Sequence, residues 1–157
     1  MLINQAKLLV FEAFQIDKLT DRRLLQKKIY LLQELTDIFS YHYIWEINGP
    51  HSIDLSDDYF DLTNEEVILN ELKLKQPIED DITLINSLKN YKPKQLTGLL
   101  WYQLLSSLLF IYKNKASWKV TNKAEIISIL LIYQKFTISQ CYQAWNILTK
   151  YEFIKKD

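Results

Sequence analysis

The side chains in this 157-residue chain from which a reactive centre could be built are two histidines, one cysteine and three pairs of adjacent carboxylates. His42 and His51 stand far from Cys141, and the three lack the spacing that a structural zinc ion needs. Gly49 and Gly98 are isolated, so no glycine-rich phosphate loop is present. The pairs Asp57-Asp58, Glu65-Glu66 and Asp80-Asp81 are neighbours in sequence. Acid/base catalysis needs carboxyl groups whose pKa values are driven apart in a pocket, whereas neighbours at a helix start are solvated. His51 has Asp54 three residues on, a spacing that would let the carboxylate orient its ring. A turn-stabilising role is the favoured reading of that histidine. Cys141 lies in a helical run and reads as a small apolar residue. Taken together these residues predict a protein that is not an enzyme, with no catalytic residues, no metal and no cofactor.

Binding is better represented than catalysis. The chain has only two glycines and three prolines, so the adjacent pair Gly49-Pro50 marks a backbone geometry that the fold requires. His51 and Ser52 follow, with Ser52 placed to cap a helix that carries Asp54 and Asp57 near its positive end and Asp58 beside them. With Asp61, Glu65 and Glu66 these form a window of one charge sign, which suits either helix-start stabilisation or a docking surface for a basic partner. The candidate partner-binding face is Gly49, Pro50, His51, Ser52, Asp54, Asp57, Asp58 and Tyr59, with Tyr59 as an aromatic anchor.

The elements that must position these residues are mostly helices. Hydrophobic residues make up 48% of the chain and aromatic ones 13%, enough for a packed interior and too much for general disorder. The scarcity of glycine favours long helices over a turn-rich barrel. Apolar spacing predicts helices over Ile3–Phe14, over Arg22–Phe39 with Asp21 as its cap, over Ser52–Leu62, over Glu79–Leu88 and over Leu96–Tyr112. In the second of these, Leu25, Ile29, Leu32 and Leu35 form the inner stripe, and Arg22, Arg23, Lys27 and Lys28 are expected to be solvated opposite it. In the helix after the turn, Ile53, Leu55, Tyr59 and Phe60 are the expected apolar members. Between them Phe39–Ile47 alternates with strand period, placing Tyr41, Tyr43, Trp45 and Ile47 on one face and His42 on the other. Val67–Leu74 fits either a short strand or a helix turn, and Pro77 is expected to close it.

Asn122 and Thr137 are placed to cap two further helices, ending at Tyr133 and Lys150, joined by a brief turn at Gln134–Phe136. Short extended segments at Trp118–Val120 and Phe153–Ile154 would flank this pair, giving the outline of a winged helix-turn-helix with little chain left for a second wing strand. The fold class expected is therefore mainly α-helical with a few short strands. It would form one compact domain over residues 1–157, with an N-terminal part to residue 94 and a C-terminal part, residues 95–157, ending in the winged-helix-like pair. Lys+Arg and Asp+Glu both number 19, so the whole chain lacks the basic surplus typical of non-specific nucleic-acid binders. DNA binding by the last helix remains the alternative reading. It would use Gln140, Gln143 and Asn146 as base readers, Lys150 as that helix's own cation, and Lys119, Lys123, Lys155 and Lys156 as phosphate contacts. A single cysteine, no signal-like start and no membrane-length apolar run place the expected location in the cytoplasm, away from membranes.

The run Leu25-Gln26-Lys27-Lys28-Ile29-Tyr30-Leu31-Leu32, followed by an aromatic strand ending in Gly49-Pro50-His51-Ser52 and then Leu55 and Asp58, resembles the YwgA-like proteins and the broader Panacea-type antitoxin group. The C-terminal stretch with Thr137, Ala144-Trp145, Leu148 and Phe153-Ile154 is similar to the closing helix pair of the YwgA-like group. The resemblance covers most of the chain from Leu24 onward. His51 departs from the Tyr or Val usual at its position in those families. What the resemblance implies is a non-enzymatic regulator with winged-helix character, or an antitoxin-like or phage-borne inhibitor that restrains another protein. Its expected partner is then a toxin or a component of a defence system such as CRISPR, with DNA as the alternative ligand and a homodimer as an open arrangement.

Overall fold

The computed structural model of the chain describes residues 17–36, 39–61 and 76–156. Seven α-helices and one two-stranded sheet lie within them: α1 (Leu19–Leu35), β1 (Ile44–Glu46), β2 (Gly49–His51), α2 (Ile53–Asp61), α3 (Gln76–Ser87), α4 (Gly98–Lys113), α5 (Lys115–Trp118), α6 (Lys123–Tyr133) and α7 (Ile138–Lys150). The protein is mainly α-helical, as its composition and periodicity predict. The expected helix Ile3–Phe14 and the expected segment Val67–Leu74 lie outside the described residues. Among the described residues no helix is long and apolar enough to cross a membrane.

Two compact units divide the chain. The described residues of the N-terminal unit fall within Met1–Ile44 and His51–Leu88, while Trp45–Pro50 and Lys89–Asp157 form the C-terminal unit. The internal division expected at residue 94 therefore falls at Leu88, and the middle of the hairpin goes with the C-terminal helices.

In the N-terminal unit α1 packs against α3. Its start differs from the expected one: Lys18 holds the cap position without a side-chain bond, and Asp21 lies in the first turn, where its charge favours the helix dipole. Leu25 to Leu32 are eight successive buried residues, so α1 is enclosed all round instead of along one stripe. This overturns the solvated placement of Lys27 and Lys28, which are only 2% and 8% exposed. Lys28 Nζ donates to Asn86 Oδ1 on α3 at 3.0 Å, replacing water that its ammonium loses. Arg23 alone of the four expected cations is exposed.

The helix also ends earlier than Phe39, at Thr36, whose hydroxyl donates to Leu32 O at 3.0 Å. Beyond it the aromatic run keeps its alternation, with Phe39 and Tyr43 buried and Ser40, His42 and Ile44 exposed. Only Ile44–Glu46 is strand, however. Gln33 explains the difference: its Oε1 accepts from Tyr41 N and its Nε2 donates to Tyr41 O, both at 2.9 Å. A side chain thus satisfies the backbone groups that a neighbouring strand would otherwise have taken. Ile47, expected to face inward, stands at the hairpin tip and is 78% exposed.

Ser52 caps α2 as expected, its Oγ accepting from Leu55 N at 3.2 Å. Leu55 is fully buried, but Ile53 is 60% exposed and does not join the apolar face. Pro77 lies in the first turn of α3 and opens that helix instead of closing the segment before it. A first-turn N–H has no intrahelical acceptor, so proline loses nothing there.

In the C-terminal unit α4 is the central element, packed on α5, α6 and α7, with Leu104, Leu105, Leu108 and Leu109 fully buried. Thr97 caps it by accepting from Leu100 N. Trp45 of the hairpin meets Phe110, Trp118 and Tyr133 with ring centroids 5.1–5.9 Å apart, mostly edge to face. Asn122 and Thr137 cap α6 and α7 as predicted, Thr137 in a reciprocal capping box with Gln140. The two flanking wing segments are not strands. Trp118 ends α5, and Lys119 adopts φ 55°, ψ 44°, a left-handed residue that lets Val120 N reach Lys115 O. Phe153 N and Ile154 N both donate to Leu148 O, after a left-handed Glu152 at φ 64°. The helix pair stands; its wings are helix terminations.

Candidate functional site

The Gly-Pro turn is not a surface feature. Gly49 has φ 92°, and a Cβ there would run into the Ser107 hydroxyl of α4. Gly49 and Pro50 are buried, and Ser52 is fully buried. Ser52 is held in the N-terminal unit by Gln26 of α1: Nε2 donates to Ser52 O and Oε1 accepts from Ser52 N, each at 2.9 Å. The same Nε2 lies 3.0 Å from Ser56 Oγ, and His51 Nε2 lies 3.3 Å from that hydroxyl. His51 is half-buried, with the hydroxyl of Ser56 beside its ring.

Of the eight residues expected to meet a protein partner, Gly49, Pro50 and Ser52 are therefore inside the structure. Asp54 and Asp57 are exposed on α2. Asp58 is half-buried and accepts from Tyr41 OH at 2.6 Å; burial of the phenol, aided by this bond, holds it above its ordinary pKa. The Tyr59 side chain lies outside the described set. Among the described residues no three His, Cys, Asp or Glu side chains gather as they would around a metal ion. Cys141 is fully buried on the inner face of α7, and desolvation pushes its thiol up to about 11, away from the reactive thiolate.

The residues of the alternative reading have a different setting. The inner face of α7 is Cys141, Ala144 and Leu148, all fully buried. Its outer face carries Tyr142, Trp145, Asn146, Thr149 and Lys150, one helical stripe at i, i+3, i+4, i+7 and i+8. Asn146, Thr149 and Lys150 line an open groove of about 760 Å³ with Lys155 and Lys156. A second hollow of about 360 Å³ adjoins it, shares Asn146, Lys155 and Lys156, and adds Lys115, Lys123 and Trp145. Phe153 and Ile154, 4% and 2% exposed, anchor the segment after α7. Glu152 turns that segment back through its left-handed backbone, so that Lys155 and Lys156 come to the groove that Asn146 lines.

Aromatic rings are interleaved with these cations. Lys123 Nζ stands 4.4 Å over the Tyr142 ring, and Lys115 Nζ 4.5 Å over Tyr112. Tyr112 and Trp145 meet edge to face with centroids 6.0 Å apart. Lys150 Nζ donates to Tyr91 OH at 3.2 Å, and that phenol also hydrogen-bonds Tyr151 OH. Hydrogen bonds from Tyr151 and Lys150 hold Tyr91 below the ordinary tyrosine range, and the bond to Tyr91 raises the Lys150 ammonium.

Lys123, Asn146 and Lys150 thus converge at or beside the groove, whereas Gln140 does not. Its side chain is committed to the capping box, accepting from Thr137 N at 2.9 Å. Gln143 is exposed and reaches only Ser139 Oγ, at 3.5 Å. Lys115 was missed by sequence reasoning. A signal for it existed: eleven of the chain's 19 cationic residues but only Glu125 and Glu152 among its 19 anionic ones fall in residues 89–156, a formal charge of +9. A total of zero conceals this segregation. Comparison of the chain with protein-family models, with curated proteins and with solved structures finds no match.

Proposed function

We propose that this chain is a binding module whose C-terminal unit engages nucleic acid along the lysine-lined groove of α7. One observation carries the reading. Lys115, Lys123, Lys150, Lys155 and Lys156 line two adjoining hollows in which Glu152 is the sole carboxylate among the described residues. Like charges gathered on one concave surface repel one another, and a polyanion relieves that repulsion while releasing its own counterions. The winged-helix form of the reading is replaced. Helix-turn-helix proteins insert the N-terminal residues of the recognition helix, but here Gln140 is used in the cap and the cations lie toward the C-terminal end of α7.

The test is a titration of a labelled 20-nucleotide DNA, alone and annealed to its complement, at two salt concentrations. At least one form is expected to bind. Lys155→Ala/Lys156→Ala should weaken that binding about tenfold and flatten the logarithmic salt slope by about 1.4 to 1.8. Absence of binding to either form refutes the proposal.

A second reading, capture of a basic protein in the antitoxin- or inhibitor-like manner of the resembled families, is favoured by Asp54 and Asp57. Both are exposed on α2, a helix with four aspartates and no cation. Asp54→Lys/Asp57→Lys is expected to abolish retention of a basic protein partner while costing about 1 kcal/mol of stability, from the loss of a favourable charge in the first turn of α2. Co-purification and urea unfolding of the two forms, side by side, check it.

A further inference from the structure

Resting on the nucleic-acid reading of the α7 groove, we infer that its ligand is single-stranded, with bases stacking on the exposed ring of Tyr142 while the lysines hold the phosphates. Three observations lead there. Tyr142 is 42% exposed and begins the outer stripe that ends at Lys150, a span of about 12 Å along the helix. Its ring face is already covered by a cation, Lys123 Nζ at 4.4 Å, so the site stabilises a flat π surface beside positive charge. Tyr142 stands beside the second hollow through its contact with Lys123, and Trp145 and Tyr112 line that hollow with Lys115, Lys155 and Lys156.

A strand with unpaired bases offers both halves of this chemistry. Its phosphates draw Lys123 off the ring, and a base takes the vacated face. A duplex offers only the phosphates, because its bases are stacked on one another. Alternating cations and exposed rings along a groove are the arrangement by which single strands are held without sequence readout. Tyr142 adds a contact that is insensitive to salt, whereas each lysine adds one that salt weakens.

The experiment uses the full chain and fluorescein-labelled dT20, the same strand annealed to dA20, and a poly-glutamate of similar charge. Expected is preference for dT20 over the duplex, with affinity falling about a hundredfold between 50 and 200 mM salt if all five lysines engage. Tyr142→Ala should weaken dT20 binding about tenfold with an unchanged salt slope, and Tyr142→Phe should restore it. Tyr142 is exposed, and circular dichroism of the variants confirms that folding is intact. Equal or tighter duplex binding, indifferent to Tyr142→Ala, overturns the single-strand inference and leaves the nucleic-acid reading standing. Binding of poly-glutamate in place of both DNA forms overturns both, and identifies an acidic protein segment as the occupant.

Discussion

Replacing Gln26 with methionine is expected to lower the unfolding free energy of the N-terminal unit by about 3 kcal/mol, which for a chain of this size corresponds to a fall in Tm of about 6–12 °C. Methionine matches glutamine closely in length and volume, so the loss is polar and leaves packing intact. Gln26 is 1% exposed and Ser52 is fully buried. Ser52 O keeps two acceptor contacts without Gln26, from Ser56 N at 3.1 Å and Ser56 Oγ at 3.2 Å. Ser52 N has its hydrogen bond to Gln26 Oε1, and losing that partner in a buried site costs about 1–3 kcal/mol. Loosening of the α2 cap and of the Ser56 hydroxyl adds to it. All four tryptophans belong to the C-terminal unit, so urea unfolding is followed by far-UV circular dichroism.

Gln26→Glu supplies a control with a defined pH sign. A carboxylate keeps the acceptor for Ser52 N but sets a negative charge against Ser52 O, and burial raises its folded pKa above the ordinary value of about 4.3. The penalty is therefore smallest below about pH 4, where the protonated acid can donate to Ser52 O. It grows as pH rises through the unfolded-state value. A methionine variant within about 0.5 kcal/mol of the parent would mean that the clamp is incidental to stability.

That clamp also explains what the sequence could and could not disclose. The two halves of the motif, Leu25-Gln26-Lys27-Lys28 and Gly49-Pro50-His51-Ser52, are far apart in sequence, and two hydrogen bonds between Gln26 and Ser52 join them. A resemblance resting on such buried residues bears on architecture first and on a partner only indirectly. Helix identity was legible because caps and apolar periodicity are local: Ser52, Asn122 and Thr137 all cap as expected. The strand over Phe39–Ile47 was not, since its alternation is real but Gln33 takes the backbone bonds of Tyr41. Nor was the burial of Lys27 and Lys28, because a helix enclosed on every side has no stripe for periodicity to find. The candidate groove was half legible. Lys123, Asn146, Lys150, Lys155 and Lys156 are all legible as candidates in the sequence, but Lys115 is not, and the left-handed turn at Glu152 that brings Lys155 and Lys156 to the groove is announced by no local propensity.

Gly49→Ala should destabilise the C-terminal unit by about 3 kcal/mol, through two separable causes. An L-residue at φ 92° bears a backbone strain of about 1–2 kcal/mol. The added methyl also meets the Ser107 hydroxyl, 3.5 Å from Ser107 Cβ and 3.7 Å from Gln134 Nε2, and overpacking of a closed site costs about 1–3 kcal/mol. Removing the Ser107 hydroxyl relieves the second cause alone. Ser107→Ala by itself should cost about 1 kcal/mol, since Gln134 loses the 3.0 Å bond that its Nε2 donates to Ser107 Oγ, while its Oε1 still accepts from Gln103 Nε2. The double variant is therefore expected to be more stable than the sum of the single losses predicts, by about 1–2 kcal/mol, with the φ strain still present. Tryptophan fluorescence in urea reads this, because Trp45 sits in the hairpin and packs on Phe110 and Trp118. Strict additivity would show that the methyl never reaches Ser107, and the turn would then owe its glycine to backbone conformation alone.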